Sequence, residues 1–169
     1  MKSVSFKNDI LPLKDVLYRL ALGITKSRED AEDTVQETLI RIWQQRDQWE
    51  TIESMRAYSL TLCRNQALDL VKKASRREES LDDRPAAETG SANPYEGIIS
   101  QDRMNTVRQI LDTLPEKQRS CMQLRDFEGY SYREIAQMLG ITEEQVKVSI
   151  FRARQTLKKR FEQTENYGL

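Results

Sequence analysis

Apolar side chains recur every three or four positions along most of the chain, and this period predicts helices. The clearest stripe lies near the C-terminal end and comprises Val146, Ile150, Ala153 and Leu157. A stripe of this kind forms the buried face of an amphipathic helix. Because the sequence lacks the alternation typical of strands, the pattern predicts an all-α protein.

The segment 114–160 predicts three successive helices, of which the last two form a helix-turn-helix. Pro115 and Gly129 bound the first helix. Its apolar positions are Cys121, Met122, Leu124 and Phe127. Each of the other two helices begins with a capping box, and Gly140 supplies the turn between them. The two boxes are Ser131 with Glu134 and Thr142 with Gln145.

The last predicted helix has a basic face opposite its apolar stripe. Residues 147–160 contain six cations and no acid. The face comprises Lys147, Val148, Phe151, Arg152, Gln155 and Lys158. Apolar side chains exposed among cations need a partner such as thymine methyl groups, so we expect this helix to enter a DNA groove. The simpler interpretation is that the cations only complement the helix dipole.

The N-terminal part predicts three further helices, at about residues 11–25, 27–45 and 55–77, with Ser27 as the N-cap of the second. The buried stripe of the second helix comprises Ala31, Val35, Leu39, Ile42 and Trp43. Its polar side, with Asp33, Gln36 and Glu37, is either a solvated face or a docking surface for a protein. The third helix ends in four cations, which either complement its dipole or hold single-stranded nucleic acid. Its polar set comprises Asn65, Asp69, Lys72, Lys73, Arg76 and Arg77.

The 27 basic and 27 acidic residues balance, but the acids concentrate in the middle of the chain. Residues 78–101 contain one basic and six acidic residues, whereas residues 1–77 contain 14 basic against 11 acidic and residues 102–169 contain 12 against 10. This pattern predicts two small helical domains, an N-terminal helical bundle at 8–77 and a helix-turn-helix domain at 101–162. A flexible acidic linker at 78–100 joins them.

Several classes of function are disfavoured by what the sequence lacks. The chain has no histidine, phosphate-binding glycine loop or nucleophile elbow, so we expect no catalytic residues, metal or cofactor. Cys63 and Cys121 occupy apolar helical positions and are expected to be reduced core residues. Since neither a secretory signal nor an apolar run of about 20 residues occurs, we expect a cytoplasmic protein without membrane insertion.

Three motifs follow one another along the chain. They are SREDAEDTVQETLIRIWQQ, RAYSLTLCRNQALDLVKKASRR and LPEKQRSCMQLRDFEGYSYREIAQMLGITEEQVKVSIFRARQTLKKR. They resemble the sigma-70 family of bacterial RNA polymerase initiation factors, and in particular its short, two-domain extracytoplasmic function (ECF) group. The resemblance implies a factor that binds core RNA polymerase and directs it to promoter DNA through the −10 and −35 elements.

The resemblance also implies roles for particular residues. It assigns docking on the clamp helices of the largest polymerase subunit to Asp33, Gln36, Glu37 and Arg41. Binding of the −10 element falls to Asn65, Asp69, Lys72, Lys73, Arg76 and Arg77, while the loop at 49–55 holds a flipped base. Binding of the −35 element falls to Arg133, Lys147, Val148, Phe151, Arg152, Arg154 and Lys158. Two departures are Leu39, where relatives usually have phenylalanine, and Val148-Ser149, which replaces a usual Ser-Arg pair and implies an unusual −35 sequence.

The remaining expectations concern partners and the alternative function. Because the domains have surpluses of only three and two positive charges, we expect weak promoter binding without polymerase. The alternative function is a stand-alone two-domain helix-turn-helix regulator. The family pattern implies an anti-sigma factor as a further partner, and it implies that Asp82, Asp83 and Glu88 of the linker mimic template phosphates near the polymerase active site. A solvated tether is the simpler interpretation of the linker.

Overall fold

A computed structural model describes residues 3–80 and 101–167, and these residues form seven α-helices without a strand. The helices are α1 (Lys14–Thr25), α2 (Arg28–Gln44), α3 (Met55–Ser80), α4 (Gln101–Thr113), α5 (Glu116–Met122), α6 (Tyr132–Leu139) and α7 (Glu143–Tyr167). The all-α prediction is therefore confirmed for the described residues. Among these helices, none has the length and apolar character needed to span a bilayer. The linker positions Asp82, Asp83 and Glu88 lie outside the described residues.

The first compact unit is built from α1, α2 and α3. Each of these helices packs against the other two. Leu17 and Leu20 of α1 and Ile42 of α2 are completely buried, and Cys63 of α3 donates its thiol hydrogen to the Leu17 carbonyl oxygen at 3.3 Å. This packing leaves the polar sides of α2 and α3 exposed.

The second compact unit is centred on α7, which packs against α4 and α5. A cluster of buried and partly buried apolar side chains comprises Leu111, Leu114, Met122, Ala153 and Leu157. Val146 and Ile150 are buried as well. The predicted apolar stripe of α7 is thus confirmed, and its burial turns the opposite side of the helix outward.

Both predicted capping boxes are formed. The Ser131 hydroxyl accepts a hydrogen bond from the Glu134 backbone N–H at 3.1 Å, and the Glu134 carboxylate accepts one from the Ser131 N–H at 3.0 Å. Thr142 and Gln145 exchange the same two bonds at 3.1 and 3.0 Å. The Ser27 hydroxyl likewise accepts from a backbone N–H three residues later, at 3.2 Å, which confirms its prediction as an N-cap.

The turn between α6 and α7 requires a glycine. Gly140 has φ +67°, a left-handed conformation that other residues rarely adopt. Directly after it, the Ile141 N–H donates to the Ala136 carbonyl oxygen at 3.1 Å, which satisfies one of the last carbonyl groups of α6. The predicted helix-turn-helix geometry is therefore present.

The segment between Pro115 and Gly129 is helical, as predicted, but its last part does not have α-helical geometry. α5 ends at Met122 and is followed by a π turn at Gln123–Phe127, in which the Glu128 N–H donates to the Gln123 carbonyl oxygen at 3.1 Å. A π turn holds one residue more than an α turn, so the positions that follow rotate around the helix axis. Phe127 consequently leaves the core and is 38% exposed.

The prediction that Trp43 is buried was wrong, because this side chain is 48% exposed. Its neighbour Ile42 points directly into the core, and the next residue of an α-helix lies about 100° around the axis. The indole therefore lies at the rim of the core. There it packs against Phe6 in a T-shaped arrangement, with the ring centroids 5.5 Å apart and an interplanar angle of 79°.

Candidate nucleic-acid interface

The outward side of α7 carries the residues predicted to enter a DNA groove. Val148 is 37% exposed and Phe151 61% exposed, and the exposed cations Lys147 and Arg152 adjoin them in the sequence. We call these four residues the α7 face. Cations there suit phosphates and guanine edges, and the apolar pair suits thymine methyl groups. Arg133 on α6 and Lys158 further along α7 are exposed too, and their phosphate contacts stay predictions.

Arg154, which was predicted to contact phosphates, is held by an acidic side chain of the π turn. Its Nε donates to Asp126 Oδ2 at 3.1 Å, and its Nη2 donates to Asp126 Oδ1. This hydrogen bonding raises the pKa of Arg154 above its ordinary value. This bidentate ion pair links α7 to the π turn. No local sequence pattern predicts it, because the two partners are 28 residues apart.

Tyr132, the first residue of α6, lies beside two cations from other elements. The Arg125 guanidinium carbon is 4.7 Å from the centre of the tyrosine ring, and the Lys147 Nζ is 5.7 Å from it. Both distances are in the range of cation–π interactions. Arg125 also donates to the Tyr130 carbonyl oxygen at 2.9 Å. Sequence reasoning missed this cluster, since it depends on how α6, α7 and the π turn meet.

α3 exposes all six residues predicted to bind the −10 element. They are Asn65, Asp69, Lys72, Lys73, Arg76 and Arg77. Four of them lie on one side of the helix because they are spaced at intervals of four, three and four residues, namely Asn65, Asp69, Lys72 and Arg76. The opposite side is buried at Cys63 and Ala67. The structure therefore assembles one polar and basic surface, which we call the α3 face, while its DNA contacts stay predictions.

The segment before α3, predicted to hold a flipped base, begins with a 3₁₀ turn at Arg46–Thr51. Trp49 in this turn is a core residue, because it is only 8% exposed and its Nε1 donates to the Ile42 carbonyl oxygen at 2.9 Å. The Ser54 hydroxyl accepts from the Ala57 N–H at 3.1 Å at the start of α3. The exposed side chains here are Glu50, Thr51 and Glu53, and Ile52, Ser54 and Met55 are partly exposed.

α2 exposes the residues predicted to dock on polymerase. They are Asp33, Gln36, Glu37 and Arg41, which we call the α2 face. Glu37 and Arg41 form an ion pair at 3.1 Å with both side chains about half exposed. Ile40, which sequence reasoning did not select, is 51% exposed between them. An apolar side chain framed by charges suits a protein partner better than it suits DNA phosphates.

Two observations concern metal binding and the cysteine thiols. Within residues 3–80 and 101–167, no cluster of acidic or cysteine side chains has the arrangement needed to hold a metal ion. Cys63 and Cys121 are both buried and neither forms a disulfide, as predicted for core thiols. Burial raises the pKa of the Cys63 thiol to about 12, which keeps it protonated and unreactive at neutral pH.

Comparison with known proteins agrees with an architecture of two helical units and a helix-turn-helix formed by α6 and α7. Sigma-70 region 2 matches residues 10–77, and sigma-70 region 4 matches residues 104–157. The ECF RNA polymerase sigma factor SigL of Mycobacterium tuberculosis is 32% identical over 144 residues, covering 85% of this chain and 81% of that protein. SigE of Mycolicibacterium smegmatis is 35% identical over 149 residues, covering 85% of this chain, although the chain spans only 56% of its length.

The fold is shared with a solved sigma factor. The structure of RpoE from Bartonella quintana, in complex with the anti-sigma factor NepR, superposes with a TM-score of 0.78 at 24% identity and covers 93% of this chain and 96% of that one. The chain therefore belongs to the sigma-70 family of RNA polymerase sigma factors, and within it to the ECF group.

Proposed function

We propose that this protein is a transcription initiation factor that binds core RNA polymerase and directs it to promoters with −10 and −35 elements. The observation that carries the proposal is the α7 face. The buried stripe of α7 and the two capping boxes fix which side of the helix points outward, and that side combines cations with apolar side chains. Membership of the sigma-70 family supports the same function.

In the second unit, the α7 face enters the major groove at the −35 element. Lys147 and Arg152 contact phosphates or guanine edges, and Val148 and Phe151 contact thymine methyl groups. Arg133 and Lys158 add backbone contacts from positions that are exposed on α6 and α7. Arg154 supports this surface through its ion pair with Asp126 rather than as a primary contact.

In the first unit, the α3 face binds the −10 element and the α2 face binds the clamp helices of polymerase. Asn65 and Asp69 offer hydrogen-bonding groups to exposed bases, and the cations that follow them neutralise phosphates. Ile40 extends the α2 face as its apolar centre. In this proposal the protein acts in the cytoplasm, where polymerase is, and it needs neither a catalytic group nor a cofactor.

Polymerase has to contribute to promoter affinity in this proposal. The two domain segments have surpluses of only three and two positive charges, whereas proteins that bind DNA alone rely mainly on phosphate neutralisation. The alternative, a stand-alone helix-turn-helix regulator, requires tight binding by the isolated protein. A mobility-shift assay with and without core polymerase separates them, and sequence-specific nanomolar binding without polymerase contradicts the proposal.

Run-off transcription with purified core polymerase on genomic DNA, followed by mapping of start sites, tests the proposal directly. We expect shared sequences near −10 and −35. Replacing Arg152 by glutamine should weaken promoter binding by about 1–3 kcal/mol if a base contact is lost. Arg103→Gln is the matched control, because this exposed arginine of α4 has the same charge and pairs with Glu165 at 3.7 Å. Equal losses in both variants contradict a role for the α7 face.

An anti-sigma factor is a further proposed partner. The structure of RpoE from Bartonella quintana was solved in complex with NepR. At 24% identity, the similarity to RpoE supports a shared fold but not a shared partner. Affinity purification from the native host in the absence of DNA tests this part. We expect a protein that competes with core polymerase for this chain, and stoichiometric recovery of polymerase alone contradicts it.

A further inference from the structure

We propose that Tyr132 is a positioning residue that holds the Lys147 ammonium group in place for its promoter contact through the face of its ring. The inference rests on the proposed function, because the promoter contact of Lys147 is part of it. The Lys147 Nζ lies 5.7 Å from the centre of the Tyr132 ring, although the two residues belong to different helices. Tyr132 itself is partly buried, whereas Lys147 is exposed.

Lys147 needs such support for two physical reasons. Lysine has a long side chain whose free rotation must be restricted before it makes a directed contact. In addition, Lys147 is the fifth residue of α7, just past its first turn, where the helix dipole gives a cation no stabilisation. The negative face of an aromatic ring attracts the ammonium group, which restricts its rotation and supplies a stabilising interaction.

The tyrosine is well placed to act as a fixed support. It lies directly after Ser131, inside the capping box that Ser131 forms with Glu134 and that defines where α6 begins. The Arg125 guanidinium, 4.7 Å from the ring centre, is fixed in turn by its 2.9 Å hydrogen bond to the Tyr130 carbonyl oxygen. The ring is therefore held by its own helix start and by the π turn, and Lys147 joins it from α7.

The first test uses the free full-length protein and does not depend on DNA. Protons above an aromatic ring resonate upfield, so the ε-methylene signal of Lys147 should be displaced in a spectrum of ¹³C-lysine-labelled protein, with K147R assigning the signal. Tyr132→Leu should abolish the displacement and Tyr132→Phe, which keeps the ring, should preserve it. An undisplaced signal in the unmodified protein, or a displacement that survives in Tyr132→Leu, overturns the inference.

The second test measures promoter affinity of the holoenzyme reconstituted with core polymerase. Tyr132→Leu should weaken binding about two- to fivefold, the range expected from a solvent-exposed cation–π contact, and Tyr132→Phe should restore it. In a Lys147→Ala background, Tyr132→Leu should cause no further loss, because the two residues act as one unit. Additive losses, or tighter binding by Tyr132→Leu, overturn the inference.

The controls separate this inference from the proposed function. Should the unmodified protein fail to form a holoenzyme or to bind a promoter, the function fails while the spectroscopic test still decides whether the ring holds the ammonium group. An equal loss in Tyr132→Phe and Tyr132→Leu assigns the effect to the phenol hydroxyl and also overturns the inference. Circular dichroism of each variant shows whether a loss of promoter affinity arises from unfolding. If Tyr132→Leu unfolds, the Lys147 signal in the unmodified protein and in Tyr132→Phe decides whether the ring holds the ammonium group.

Discussion

The α3 face and the α7 face are both rich in cations, but their cations lie at different positions along their helices. α3 ends at Ser80 and has Arg77 in its last turn, where a cation complements the helix dipole. α7 continues to Tyr167, its last turn contains no basic residue, and its cations begin at Lys147 near the opposite end. The dipole therefore accounts for part of the charge on α3, but it does not account for the charge on α7.

This difference separates two uses of a basic helix. A cation at a C-terminal end stabilises its own helix and needs no partner, so the α3 face alone does not prove nucleic-acid binding. On α7 the cations act against or independently of the dipole, and the capping boxes and the Arg154–Asp126 pair hold the helix in place. The charges of α7 therefore indicate a DNA-binding surface more strongly than the charges of α3 do.

The largest expected effect follows from the buried stripe that orients α7. Ile150→Ala should lower the free energy of unfolding by about 2–5 kcal/mol, because Ile150 is only 2% exposed and the substitution leaves a cavity. Ile40→Ala is the matched control: Ile40 is 51% exposed, and we expect a loss of less than about 1 kcal/mol. Urea unfolding measures both, and similar losses contradict the assignment of the buried and exposed sides.

The next effect concerns a thiol in the core of the first unit. The folded-state pKa of Cys63 is raised to about 12 from its ordinary value of 9.0, so folding favours the protonated thiol. That stabilisation is complete below pH 9 and is lost as the pH rises through 12, and about 1–2 kcal/mol of it is lost by pH 10.

Urea unfolding at pH 7 and pH 10 measures this loss as a difference between two proteins. The stability of the unmodified protein should fall by that amount more than the stability of Cys63→Ala, since other titrating groups are common to both. A parallel fall in the two proteins contradicts the burial of this thiol.

A smaller effect is expected from the capping boxes that distinguish the second unit. Thr142→Ala removes the hydroxyl that accepts from the Gln145 N–H at 3.1 Å, and it should cost about 1 kcal/mol. Thr142→Ser, which keeps the hydroxyl, is the control and should cost less. Hydrogen exchange of the first turn of α7 provides the measurement, and unchanged protection in Thr142→Ala contradicts a capping role.

The sequence predicted the features that depend on neighbouring residues. The capping boxes, the Ser27 cap and the buried stripe of α7 follow from spacings of three or four residues, and the structure confirms each of them. Features that depend on tertiary contacts were not predictable in this way. The π turn at Gln123–Phe127, the Arg154–Asp126 pair and the position of Tyr132 beside Lys147 all arise where separate elements meet, and no local pattern encodes them.

The smallest effect tests the comparison between the two faces most directly. Arg77→Gln should destabilise the protein by about 0.3–1 kcal/mol at low salt, and the loss should shrink in high salt as the dipole is screened. Arg152→Gln changes the same charge away from a helix end, so its stability should stay within about 0.5 kcal/mol of the unmodified protein while promoter affinity falls. Denaturation at two salt concentrations, together with holoenzyme binding, measures both variants. If Arg152→Gln proved the more destabilising variant and left promoter affinity intact, the charges on α7 would be serving the helix and not a DNA partner.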